Sequence, residues 1–188
     1  MLLTAVMGLI SGCEELRVAN RATASAIRSV IPPSWYMASG YWEGDDVPGR
    51  PKIVVHLAEQ KAYFYKGRHL VGETTVSTGK PGFSTPPGRY TVLQKDKDHL
   101  SSIYGDYVDD EGNVLVSNID NRHDPPPAGG RFDGARMPYF MRFRGGYGMH
   151  AGYVPPFRAS HGCIRLPERM AKRFFNAAHE GTPVVVEE

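Results

Sequence analysis

A chain of 188 residues can hold one domain with a real core and a short extension. Its 22 Lys+Arg against 20 Asp+Glu leave a net charge of only +2, with no dense basic stripe, which argues against a nucleic-acid binder. The 21 Gly and 15 Pro favour many turns and short strands over a helical bundle.

In chain order, the apolar run Met1–Gly12 is far too short to span a bilayer, which takes about 20 residues. It fits the apolar part of a secretion signal. Ile10-Ser11-Gly12-Cys13 resembles the bacterial lipobox, in which an aliphatic residue, a small residue and Gly or Ala precede a Cys that becomes lipidated, although no Lys or Arg precedes the run. The alternative is an ordinary apolar helix with a buried thiol. The expected organisation is a lipoprotein signal over 1–13 ending at Cys13, a tether and lead-in over 14–50, and a folded domain over 51–188. Within the lead-in, 14–31 reads as a weak helix ended by Pro32-Pro33, and 34–51 holds Trp35, Tyr36, Tyr41 and Trp42.

The domain opens with strand patterns. Ile53 to Leu57, Ala62 to Tyr65, and Leu70 to Val76 are short apolar runs separated by polar turns, the spacing of a β-meander. The turn-rich loop Ser77 to Gly88 precedes a strand at Arg89 to Leu93. From Gln94 to Arg136 the pattern is irregular and polar, broken by one strand at Val114-Leu115-Val116. Asp124 to Gly130, with three prolines, cannot be regular structure. Such an insertion reads as a lid or binding loop, or as a surface excursion. Strands follow at Met137 to Phe143 and Tyr147 to His150. After Pro167, the apolar positions Met170, Phe174 and Ala178 mark a core-facing helix, closed by Gly181 and followed by a strand at Val184 to Val186.

The chemistry is concentrated between His150 and Arg165. An ordinary thiol has a pKa of about 8.5, so only a few per cent is ionised near neutrality. Histidines and cations nearby can raise that fraction or take the proton directly. Cys163 has His150, His161 and Arg165 close in sequence. His150 ends a predicted strand, and the Pro-rich loop after it can fold back to the thiol, which makes it a better base than the loop residue His161. Gly162 permits a tight turn whose amide N–H groups can face an oxyanion, and Arg165 can hold a substrate carboxylate. Cys163 as a small buried hydrophobe is one alternative. A zinc site of His150, His161 and Cys163 is another, with His-Gly-Cys spacing tighter than usual and no second pair to complete it. A disulfide between the only two cysteines, Cys13 and Cys163, is the third. If Cys13 carries lipid, Cys163 has no partner.

Ser160-His161-Gly162-Cys163-Ile164-Arg165-Leu166, with His150 upstream, resembles the signature of YkuD-type L,D-transpeptidases. Ser77-Thr78-Gly79-Lys80, Thr85-Pro86-Pro87-Gly88, Tyr139 and Gly181-Thr182-Pro183-Val184 look like family positions too, so the resemblance covers about residues 50–188. It departs at His150-Ala151-Gly152, where many members have His-Gly-Thr.

The resemblance implies a mostly β catalytic domain over 51–188, sandwich- or barrel-like, with a C-terminal helix and final strand. It puts the nucleophile at Cys163, the general base at His150 and a supporting histidine at His161. Gly162, Ser160, Arg165 and Tyr139 fall in the oxyanion and substrate-binding region. The implied reaction forms a Cys163 thioester from a peptidoglycan tetrapeptide stem, releases D-Ala and passes the acyl group to an amine, with no metal or organic cofactor. Transfer to water would make the enzyme an L,D-carboxypeptidase, and a non-catalytic wall-binding lipoprotein is the reading from another class. The expected partners are stem peptides, with no nucleic acid. The expected location is the periplasmic side of the cell envelope, with membrane contact only through a lipid anchor at Cys13.

Overall fold

Side chains alternating across the strands give the first sheet an inward face. On β2 (Pro51–His56) and β3 (Lys61–Lys66), Ile53, Val55, Ala62 and Phe64 all turn inward and lose all contact with solvent. β4 (His69–Thr75) pairs antiparallel with β3, completing the expected meander. The computed structural model describes residues 40–188; the lipobox Cys13 and the expected helix over 14–31 lie outside the described residues. The C-terminal strand β13 (Pro183–Glu187) inserts parallel to β2, setting Val184 opposite Ile53 and Val186 opposite Val55. β5 (Gly88–Thr91) pairs with the other side of β13, and β1 (Tyr41–Trp42) adds to β4. The order is β1-β4-β3-β2-β13-β5.

β1 makes the end of the 14–50 segment part of this fold: Tyr41 is buried, and the Trp42 ring meets Phe64 at 5.2 Å. The one helix among the described residues, α1 (Glu168–Ala177), follows Pro167 and buries Met170, Ala171 and Phe174. Phe174 packs edge-on to Phe64 at 5.1 Å. The helix ends at Ala177, short of Gly181, because the Ala178 N–H reaches Phe174 while Ala178 itself is already extended.

A second sheet, ordered β12-β11-β10-β6, combines β6 (Gln94–Asp96), β10 (Phe140–Arg144), β11 (Tyr147–Ala151) and β12 (Ile164–Leu166). Its Met141, Phe143, Met149, Ile164 and Leu166 join Ile53, Val55, Phe64 and Phe174 in one core. The architecture is the expected mostly β one, with helix and final strand in place.

The stretch from 94 to 136 differs from its sequence reading. Besides β6 it contains β7 (Leu100–Val108), β8 (Val114–Asp120) and β9 (Arg131–Arg136), a third sheet ordered β8-β7-β9. The expected strand at Val114 to Val116 is the start of β8; the other strands were hidden because this sheet has no fully buried face. β8 exposes Val114, Leu115 and Val116 in succession, and β9 is nearly all exposed or half-buried. Backbone pairing holds these strands together without the apolar alternation that marks a core strand. Asp124 to Gly130 is irregular, as its prolines require.

Candidate active site

β11 and β12 run parallel and adjacent, with Met149 opposite Ile164 and His150 opposite Arg165. Met149, Ala151, Ile164 and Leu166 go to the core. His150 and Arg165 occupy the alternate positions and so face the other way. There they line one cavity of about 330 Å³ together with Cys163, His161 and Ser160. The third sheet supplies another wall through Ser101 to Tyr104 and Ala135 to Arg136. The insertion is therefore a wall of the site.

The loop carrying Cys163 is held by its own hydrogen bonds. Gly162 has φ +115°, a conformation L side chains rarely adopt, and a Cβ there would meet the Tyr147 ring at 2.6 Å. The Ser160 hydroxyl accepts from the Gly162 N–H at 3.0 Å and donates to the Cys163 carbonyl at 2.5 Å. Ser160 is thus a brace, and the same bond commits the Gly162 N–H that the sequence offered as an oxyanion donor.

The family-like segments earlier in the chain form a cradle for this loop. Ser77 and Arg165 exchange two backbone hydrogen bonds of 3.0 Å, and the Thr78 carbonyl accepts from the Ala159 and Ser160 N–H groups at 3.1 Å. The Thr85 hydroxyl accepts from the Gly79 N–H at 3.0 Å and donates to the Gly162 carbonyl at 2.7 Å. Thr85→Val removes both bonds with almost no change of shape. Two buried backbone groups lose their partner, so a destabilisation of about 1–3 kcal/mol is expected in urea unfolding. An unchanged midpoint would show that the two bonds carry no net energy.

His150 is buried, with Nδ1 2.8 Å from the Ala151 carbonyl oxygen. A carbonyl only accepts, so Nδ1 carries the proton and Nε2 keeps its lone pair. Burial pushes the His150 pKa down to about 4, aided by the charges of Arg165 and His99 and opposed by the Ala151 hydrogen bond. Burial also pushes the Cys163 thiol above its ordinary value, against the pull of the Gly148 N–H, Arg165 and Arg142. Cys163 is a free thiol whose Sγ lies 3.7 Å from the Gly146 carbonyl oxygen, the arrangement of a protonated S–H donor. The resting pair is therefore a neutral thiol and a neutral imidazole.

His161 is held between two rings, stacked on Tyr104 of β7 at 4.5 Å and edge-on to Phe83 at 4.8 Å. Burial lowers its pKa, and the charges of Lys80 and Arg165 lower it further. Tyr139 is not brought to the cavity. Its ring lies against Phe175 at 5.8 Å, and its left-handed turn, φ +59°, leads into Phe140, which does line the cavity.

Sequence reasoning missed His99, Tyr104, Arg136, Phe140 and Arg142, all of which line the cavity. Phe140 stacks on His99 at 4.1 Å, and His99 Nδ1 lies 3.0 Å from Asp96. Gly148 makes room for Phe140: a Cβ there would sit 2.3 Å from its ring. Nothing local marks these residues, because strand pairing across the insertion brings them in.

The family model described as the L,D-transpeptidase catalytic domain (YkuD) matches residues 50–186. "Probable L,D-transpeptidase 3" of Mycobacterium tuberculosis is 34% identical over 125 residues, covering 62% of this chain and 39% of that protein. "Probable L,D-transpeptidase ErfK/SrfK" of Salmonella typhimurium is 27% identical over 143 residues, covering 73% and 44%. The chain thus spans about two-fifths of the length of these curated relatives. A crystal structure of an Enterococcus faecium L,D-transpeptidase is similar with a TM-score of 0.55 and 26% identity, covering 74% of this chain and 50% of that one. The solution structure of an Enterococcus faecium L,D-transpeptidase catalytic domain gives 0.53 and 26%, covering 72% and 95%. With a match over most of its length and the same fold, this chain belongs to the YkuD family of L,D-transpeptidase catalytic domains.

Proposed function

We propose that this protein is a peptidoglycan L,D-transpeptidase that works through a thioester on Cys163. The observation that carries the reading is one cavity holding a free thiol and a buried imidazole whose Nδ1 is tied to a carbonyl, so that Nε2 is available as the base. Nε2 takes the thiol proton as Sγ attacks the carbonyl between the diamino acid and D-Ala of a tetrapeptide stem. The imidazolium returns that proton to the departing D-Ala amine, leaving the thioester. An amine from a second stem then attacks, His150 takes its proton, and Cys163 leaves as the thiol. Backbone N–H groups of His161 and Cys163 serve as oxyanion donors, since the Gly162 N–H is committed to Ser160. The Arg165 side chain has no hydrogen-bond or ion-pair partner among the described residues and is available for a substrate carboxylate. The substrate puts the reaction at the cell envelope, and lipidation at Cys13, outside the described residues, would hold the enzyme on the membrane's periplasmic side.

The test incubates the full chain with disaccharide-tetrapeptides and follows products by mass spectrometry. A dimer formed with loss of one D-Ala is expected. Tripeptide without dimer would move the assignment to an L,D-carboxypeptidase. No product, with an unreactive thiol, would favour a non-catalytic wall-binding protein.

A further inference from the structure

The charge of the cavity is one-sided. No Asp or Glu lines it, whereas Arg136, Arg142, Arg165, His99, His150 and His161 do. The three arginines are not equivalent. Arg142 is already engaged, donating to Gln94 Oε1 at 2.9 Å and to the Gly145 carbonyl at 2.7 Å. The side chains of Arg136 on β9 and Arg165 on β12 have no hydrogen-bond or ion-pair partner among the described residues. The nearby acids do not compete for them. Asp96 faces His99 at 3.0 Å, and Asp120 is taken by the Arg122 guanidinium at 2.6 and 2.9 Å. Two unpaired guanidinium groups, on different sheets, thus project cationic charge into a site that holds no anion of its own. A guanidinium recognises a carboxylate through two parallel N–H···O bonds, and an amide cannot accept both.

We infer that Arg136, acting with Arg165, is a specificity-determining residue that selects acyl donors carrying free side carboxylates over the same donors with those carboxylates amidated. The inference rests on the transpeptidase reading and names the chemistry of its donor. Arg165 sits next to the nucleophile, where the reacting end of the donor must lie. Arg136 comes from the inserted sheet and reaches a carboxylate farther along the peptide. Its exposed position leaves it free to reorient on a ligand.

The experiment uses the full chain and two synthetic tetrapeptides, one with free carboxylates and one in which the side carboxylates are amides. Acyl-enzyme formation is followed by intact-protein mass spectrometry at low and at 0.5 M salt, for wild type, Arg136→Gln and Arg136→Lys. The expected result is a preference for the free donor of about tenfold or more in kcat/KM, expressed in KM, falling as salt screens the charge. Arg136→Gln should shrink the ratio severalfold, and Arg136→Lys should restore part of it. Equal use of both donors by wild type, or a ratio untouched in Arg136→Gln, overturns the inference while leaving the transpeptidase reading intact. Acylation by neither donor overturns the transpeptidase reading, and the inference falls with it.

Discussion

Cys163→Ala should abolish acyl-enzyme formation and lower turnover of tetrapeptide by at least about 10⁴-fold, because every later step passes through the thioester. The loss should not come from unfolding. The side chain is only partly buried, so the change in unfolding free energy should stay within about 1 kcal/mol. The pair of measurements is turnover of a disaccharide-tetrapeptide and a urea unfolding curve. Retained turnover in Cys163→Ala would remove Cys163 from the mechanism. Cys163→Ser offers a second check, since it keeps a nucleophile of the same shape. It should stay far below wild type, because a hydroxyl is a weaker nucleophile and holds its proton more tightly than a thiol.

His150→Gln should cost about 10²–10⁴-fold in kcat/KM, the usual contribution of a positioned general base. The pH dependence gives the assignment its sharper form. Burial holds the His150 pKa at about 4, so the imidazole is a competent base at neutrality and stays so as the pH falls. The acid limb of kcat/KM should therefore lie near pH 4, whereas an unperturbed histidine would give a limb near about 6.5. In His150→Gln the thiol must ionise by itself. Burial raises its pKa, so the residual rate should climb with pH above neutrality. A wild-type limb near 6.5, or a pH-independent residual rate, would show that another group takes the proton. The ring-stacked His161 is the comparison: His161→Asn should cost far less than His150→Gln.

The same shift has a consequence for stability. The folded His150 pKa lies below that of the unfolded chain, so on acidification the unfolded state binds the proton first. The stability linked to this group is present above about pH 6.5 and is lost as the pH falls through about 4.

The sequence by itself determined the pieces that are local. The nucleophile loop is contiguous, Ser160 to Leu166, and its glycine, serine and cysteine act on one another across two or three residues. The core strands were legible because a strand buried on one face must alternate, as Ala62 and Phe64 do. The helix was legible because Met170, Ala171 and Phe174 fall on one face. The mostly β class and the family followed from these.

The tertiary structure alone decided how far the thiol and imidazole are from water, and both pKa shifts arise mainly from that burial. It alone decided that Thr85, far upstream in the chain, holds the Gly162 carbonyl, and that Tyr139 turns away to Phe175. It alone built one wall of the cavity from β7 and β9. β7 and β9 carry mixed surfaces with no fully buried face, so their pairing leaves no clear period in the sequence. Tyr104 and Arg136 enter the site through long-range backbone hydrogen bonds, which any residue type can make.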